Sequence, residues 1–158
     1  MLYCGAEPTF FYGGYLSQWH PCKFHVNGVR YNCAEQFMMA QKAYMCGDYT
    51  TLEKIMNEPS PKTQKALGRQ VSNFDPAAWN VHCEEIVHNG NFAKFDQNPE
   101  LLDKLLATEG LLVEASPTDK IWGIGLDAKD PNLYDTSRWG ENKLGRILTA
   151  IRHFFLYG

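Results

Sequence analysis

Paired cysteines are missing from this chain. Its five cysteines, Cys4, Cys22, Cys33, Cys46 and Cys83, are odd in number, and no two form a Cys-x-x-Cys motif. A disulfide framework and a cysteine zinc cluster are therefore not expected, and a reduced, cytoplasmic compartment is. The histidines, His20, His25, His82, His88 and His153, lack metal-ligand spacing, so neither a metal nor another cofactor is expected. No run approaches the roughly 18 apolar residues of a membrane span. The N-terminus has no charged segment leading into a long apolar one, so a signal peptide is not expected either. Positive charge is not in excess: Lys and Arg number 15 against 18 Asp and Glu, for a net charge of −3. That argues against holding nucleic acid mainly by bulk electrostatics, yet it leaves room for a small enzyme that engages one modified nucleotide. Internal repeats, low-complexity tracts, a Walker loop and a Gly-x-Gly-x-x-Gly fingerprint are all absent.

What is present suits one globular domain spanning 1–158, since 158 residues with 44% hydrophobic content can build a substantial core. Asn27-Gly28, flanked by Phe24-His25-Val26 and Val29-Arg30-Tyr31, predicts a two-residue hairpin with Phe24, Val26, Val29 and Tyr31 facing inward. Directly after it, Asn32 to Lys42 reads as the opening of a helix. Glu35 and Lys42 are seven residues apart, which places them within about 20° of one another around the axis and roughly 10 Å apart along it. An acid and a base can thus lean over one ligand, an arrangement suited to proton transfer. Asn32-x-x-Glu35 is equally a capping box, in which Glu35 reaches back to the N-cap amide.

Further helices are predicted at 50–58, from Pro61 to about Val71, at 76–96, from Pro99, and as a final helix led into by Trp139–Gly145. Leu144, Ile147, Leu148, Ile151, Phe154 and Phe155 form the apolar stripe of the last one. Leu111–Ala115 reads as a strand. Ile121–Gly125, which includes Gly123, reads as a strand or a glycine-rich loop where backbone approaches a ligand, and 126–138 as a polar excursion. Ser17 and Trp19 belong to an aromatic, glycine-rich segment read as lining a cleft or plugging the core. Arg69 is suited to holding a phosphate, and so is the helix start between Gly140 and Gly145. The fold class is α+β, a mostly helical single domain with a small β-sheet that includes the N-terminal hairpin.

Several blocks occur together in order: Leu16-Ser17-Gln18-Trp19-His20-Pro21, Tyr31-Asn32-Cys33-Ala34-Glu35-Gln36, Ala40-Gln41-Lys42, Gly68-Arg69, Lys94-Phe95-Asp96-Gln97-Asn98, Leu105-Leu106-Ala107-Thr108, Val113-Glu114-Ala115-Ser116, Asp119-Lys120-Ile121-Trp122-Gly123-Ile124-Gly125, and Trp139-Gly140-Glu141-Asn142-Lys143-Leu144-Gly145. The set, covering residues 10–155, resembles the NADAR family, also called YbiA-like. The resemblance implies an N-glycosidase that cleaves a bond between a ribose C1 and a nitrogen. One branch of the family is associated with removing ADP-ribose from guanine in DNA, and another with hydrolysing phosphoribosylated intermediates of riboflavin synthesis. A non-catalytic binder of ADP-ribose or NAD-derived nucleotides is the third reading. Matching pocket positions are Glu35, Gln41, Lys42, Arg69, Trp79, Asp119, Trp122 and Asn142, with Glu35, Lys42 and Asp119 as the catalytic candidates. The remaining candidates, together with Ser17, Trp19, Gly123 and Gly145, would bind substrate. The partner implied is an ADP-ribosylated nucleotide or DNA; no membrane and no stable protein partner is expected. This chain departs from the family in carrying Gln18 where Asn is commoner and Gln36 where an aromatic residue or His is commoner. Its 126–138 loop is also longer than in shorter members.

Overall fold

The computed structural model describes residues 5–158, so Cys4 lies outside the described residues. In chain order its elements are β1 (Thr9–Phe11), β2 (Phe24–Val26), β3 (Val29–Tyr31), α1 (Ala34–Met45), α2 (Tyr49–Met56), α3 (Pro61–Gly68), α4 (Pro76–Asp96), α5 (Pro99–Leu106), β4 (Leu112–Glu114) and α6 (Lys143–Tyr157). A single 3₁₀ turn spans Thr136–Arg138. The fold is α+β and mainly helical, as the periodicity implies. The strands form two separate two-stranded sheets, β1 with β4 and β2 with β3. The chain divides into two compact units, Gln18–Pro99 and the remainder.

In the Gln18–Pro99 unit the hairpin forms where Asn-Gly demands it. Asn27 and Gly28 both take positive φ (51° and 79°), the requirement of a type I′ turn. Phe24 pairs with Tyr31 across the hairpin. Their rings stack at 5.6 Å, and Tyr31 meets Phe37 of α1 edge-on at 5.0 Å. The inward face stops there: Val29 is exposed and Val26 only half-buried, because the turn projects beyond the helices. Helix α1 packs against α2, α3 and α4, so its residues from Ala34 to Ala40 are all buried. Two glycines let the neighbours come close. A Cβ on Gly68 of α3 would lie 2.0 Å from Met39 Sδ, and one on Gly90 of α4 would lie 2.6 Å from the Phe37 ring. Gly90, which weakens a helix on propensity alone, is there for packing.

The start of α1 differs from the expected capping box by one residue. The N-cap is Cys33, whose Sγ accepts from the Gln36 amide, and Gln36 Oε1 accepts from the Asn32 amide at 2.8 Å. The Asn32 side chain is not available to cap, because it donates to the Pro59 carbonyl and accepts from buried Gln64. Helix α3 ends at Gly68 rather than Val71, with Arg69 as its C-cap. The Asp75-Pro76 start holds: Asp75 Oδ1 accepts from the amides of Ala77 and Ala78.

In the other unit β1 and β4 run parallel, Thr9 opposite Leu112 and Phe11 opposite Glu114. Helix α6 covers β4 with Leu144, Ile147, Leu148 and Ile151, while Phe154 is exposed, so the buried stripe ends a turn early. Buried Arg152 donates to the Thr108 hydroxyl and the Gly110 carbonyl. Val113, Ile124 and Leu133 form a small core under Phe10 and Trp139. Residues 121–125 are a loop, not a strand.

Replacing Gly90 with Ala tests the α1–α4 contact. A methyl forced against Phe37 is expected to cost about 1–3 kcal/mol, offset by up to about 1 kcal/mol of helix propensity. Denaturant unfolding should show a lower midpoint with an unchanged slope, and an unchanged or higher midpoint would show that Phe37 yields freely.

Candidate active site

Because Cys33 and Gln36 close the start of α1, Glu35 is released from capping. Its side chain is 6% exposed and accepts a hydrogen bond from Trp19 Nε1 at 3.1 Å. The Glu35 amide in turn donates to the Gln18 carbonyl, tying the Trp19 segment to the helix. Burial raises the Glu35 pKa above the ordinary carboxylate range; the Trp19 hydrogen bond and the charges of Lys65, Lys42 and Arg69 oppose it in part. The group is therefore poised toward its neutral form without being deprived of a partner.

Two turns along the same helix, half-buried Lys42 has the opposite shift. Burial lowers its pKa, and the charge of Arg69 adds to that, while Cys46 and Glu35 pull it back up. Its Nζ lies over the Phe74 ring at 4.5 Å and the Trp79 ring at 5.8 Å from the centroids, contacts that hold the charged form of the amine. Gln41, beside it, is half-buried. Arg69 is exposed at the end of α3, and Trp79 is half-buried in the first turn of α4. Within this unit, then, Trp19, Glu35, Lys42, Arg69 and Trp79 belong to one electrostatic and aromatic cluster. Two members escaped the sequence reading. Lys65 looks like any solvated helix lysine. Phe74 sits in an aperiodic turn after Asn73 (φ 59°), and its one signal was an aromatic residue at a loop position that does not require one.

The other unit holds the remaining candidates. Asp119 Oδ1 accepts from the amides of Ile121 and Trp122, each at 2.9 Å, and the Asp119 amide donates to buried Ser116 Oγ. Its Oδ1 thus shapes the turn. Half-buried Trp122 lies under Lys143 Nζ at 5.9 Å. The Ser17 amide donates to the Gly14 carbonyl and closes a turn.

Asn142, left-handed at φ 51° and 3% exposed, spends its side chain on β4: Oδ1 accepts from the Glu114 amide and Nδ2 donates to the Leu112 carbonyl, both at 3.0 Å. Gly145 allows this approach, since a Cβ there would sit 2.1 Å from the Leu112 carbonyl oxygen. Gly123 likewise lies against Glu114 and Ser116. The amides of Asn142, Lys143 and Leu144 donate to the carbonyls of Gly123, Ile121 and Trp122. The helix start read as an anion site therefore has these three donors already engaged by the chain's own loop.

The pKa shift of Glu35 gives a stability prediction. A group whose folded-state pKa is raised contributes stability that is complete below its unfolded value and is lost as pH rises through the folded one. Glu35→Gln mimics the neutral acid and still accepts from Trp19. At pH 7.5 the variant should melt above the native chain, and the gap should close as pH falls toward 4.5. A gap that widens on acidification would show that the carboxylate, not the acid, is the favoured form.

Residues 10–156 match the NADAR domain. The N-glycosidase R617 of Acanthamoeba polyphaga mimivirus is 46% identical over 144 residues, covering 87% of this chain and 85% of that protein. The N-glycosidase YbiA of Escherichia coli (strain K12) is 31% identical over 128 residues, covering 80% of this chain and 72% of that protein. The NMR structure of the E. coli protein YbiA superposes with a TM-score of 0.76 at 27% identity, over 94% of this chain and 84% of that one. The chloroplastic riboflavin biosynthesis protein PYRR of Arabidopsis thaliana is 33% identical over 120 residues, 73% of this chain but 18% of that protein. On these matches, which bear out the ordered motifs, the chain belongs to the NADAR family.

Proposed function

We propose that the protein is an N-glycosidase that removes ADP-ribose from guanine in DNA. N-glycosidase is the name carried by the mimivirus and E. coli relatives. The observation that carries the reading is the pairing on α1 of a buried carboxyl raised toward its neutral form with an amine lowered toward its own.

Breaking a ribosyl C–N bond builds positive charge on C1 and the ring oxygen and leaves the electron pair on the nitrogen. A neutral Glu35 donates its proton to that nitrogen. The carboxylate left behind then faces the cationic sugar and takes a proton from the water that attacks C1, an acid-then-base sequence familiar from glycosidases. Lys42 stabilises the developing negative charge in its protonated form. In its neutral form it can capture the ring-opened sugar aldehyde as an imine, with loss of water. Trp79 and Phe74 offer flat faces to a base, and Arg69 a planar fork to a phosphate. Asp119 is proposed as the second carboxylate of the reaction.

The similarity to a riboflavin biosynthesis protein favours a second reading, hydrolysis of a phosphoribosylated intermediate of that route. Incubation of the protein with an ADP-ribosylated oligonucleotide and, separately, with that intermediate decides between them. Release of ADP-ribose and restoration of unmodified guanine is the expected result; release of ribose 5-phosphate with the oligonucleotide untouched would transfer the assignment. Tight ADP-ribose binding with no turnover of either would leave a binding protein.

Lys42→Ala should lower the rate by about 10²–10³-fold, the usual cost of removing one group that stabilises developing charge, with little change in melting temperature. Asp119→Asn keeps an oxygen to accept from Ile121 and Trp122, so the turn survives. Loss of turnover in that variant is expected, and a native rate would reduce Asp119 to its structural part.

A further inference from the structure

Behind Trp19 lies a cavity of about 360 Å³ within the Gln18–Pro99 unit, toward the small end of the roughly 300–1,000 Å³ of ligand sites. Trp19, Pro21, Pro59 and Pro61 make its walls flat and apolar, and Lys23 and Arg30 supply its charge. No carboxylate lines it, in a chain where acids outnumber bases. The hairpin register explains the cations. Phe24 and Tyr31 point into the core, so alternation along the strands sends Lys23 and Arg30 outward. Neither forms an ion pair among the described residues.

A third cation supports the same sign. Lys94, fully buried in α4, interacts electrostatically with the thiols of Cys22 and Cys33, both of which line the cavity. Burial holds its pKa down at about 8, which still leaves it mainly protonated at neutral pH. The cavity also adjoins the candidate active site, because Trp19 lines it while donating to Glu35.

An aromatic face, proline walls and the two exposed cations Lys23 and Arg30 with no acid in the lining are the elements of a single-stranded nucleic-acid subsite, stacking for a base and charge for its phosphate. We propose that this cavity seats the nucleotide adjoining the modified one in a single strand, its base against Trp19 and its phosphate between Lys23 and Arg30. The proposal rests on the reading of the protein as acting on DNA, and it makes the preferred substrate a strand rather than a free nucleotide.

The test compares the native chain with the double variant Lys23→Gln/Arg30→Gln. Both positions are exposed, so the fold should be unaffected and the melting temperature unchanged. Affinity for a fluorescent, unmodified single-stranded pentanucleotide is measured first, at several salt concentrations. The double variant should bind at least tenfold more weakly, with a salt slope shallower by about 0.7, the share of the one phosphate held between the two cations. Turnover is then compared on an ADP-ribosylated mononucleotide and the same nucleotide inside a pentanucleotide. The native chain should show the higher kcat/KM on the strand, the variant should lose that advantage through KM, and the two should match on the mononucleotide. Equal affinity and salt slope in the binding assay overturn the proposal, and so does an equal loss on both substrates. Absence of turnover with either substrate tells against the enzymatic reading, while the binding assay still decides the cavity.

Discussion

A carboxyl group in the interior of a protein must either find a donor or give up its charge, and the Gln18–Pro99 unit is arranged around one that does some of each. Glu35 is in the first turn of a helix enclosed by three others, where an unpaired ion would cost several kcal/mol. The indole of Trp19 supplies one donor at 3.1 Å, and the neighbouring cations supply field without an ion pair at contact distance. The outcome is a carboxyl biased toward its acid form. The geometry around it is tight by design of the backbone: Gly68 and Gly90 bring α3 and α4 onto α1 with no room for a Cβ.

The enclosure also explains why a second polar residue on the same turn is harmless. Gln36 is 3% exposed yet fully engaged, accepting from the Asn32 amide and donating to the Ile55 carbonyl. Gln64, fully buried, links Asn32, Cys33 and the Glu58 carbonyl. These amides do the capping and bridging that Glu35 would otherwise be drawn into. A residue with no hydrogen-bonding duty to the backbone is free to exchange protons; one that caps a helix is not.

The other unit follows a different rule, in which side chains and loops stand in for missing strands. Strand β4 has one strand neighbour, and Asn142 offers it a donor and an acceptor as an adjacent strand would. Loop carbonyls from 121 to 123 receive the amides at the start of α6 in the same spirit. The glycines of Trp139–Gly145 serve this close approach: a Cβ on Gly140 would lie 2.3 Å from the Lys120 carbonyl oxygen. Glycines at a helix start thus carry two possible meanings, room for a phosphate or room for another stretch of backbone, and here they make room for backbone.

Local chemistry made much of this legible from sequence. Asn27-Gly28 dictates its hairpin because few other dipeptides take two positive φ values at low cost. Asp75-Pro76 dictates the start of α4, and the apolar periods place α1, α4 and α6. The ordered motifs identify the family, and the seven-residue spacing of Glu35 and Lys42 places both on one face of one helix. Tertiary contacts decided what two-fold local patterns could not. Asn32-x-x-Glu35 is the cap that local preference favours, yet Cys33 and Gln36 close the helix, and the choice fell to Gln64 and Pro59, distant in sequence, which occupy the Asn32 side chain. The partnership of Trp19 with Glu35, the rings over Lys42 and the engaged helix start before Gly145 are likewise contacts between segments, and no local propensity encodes them.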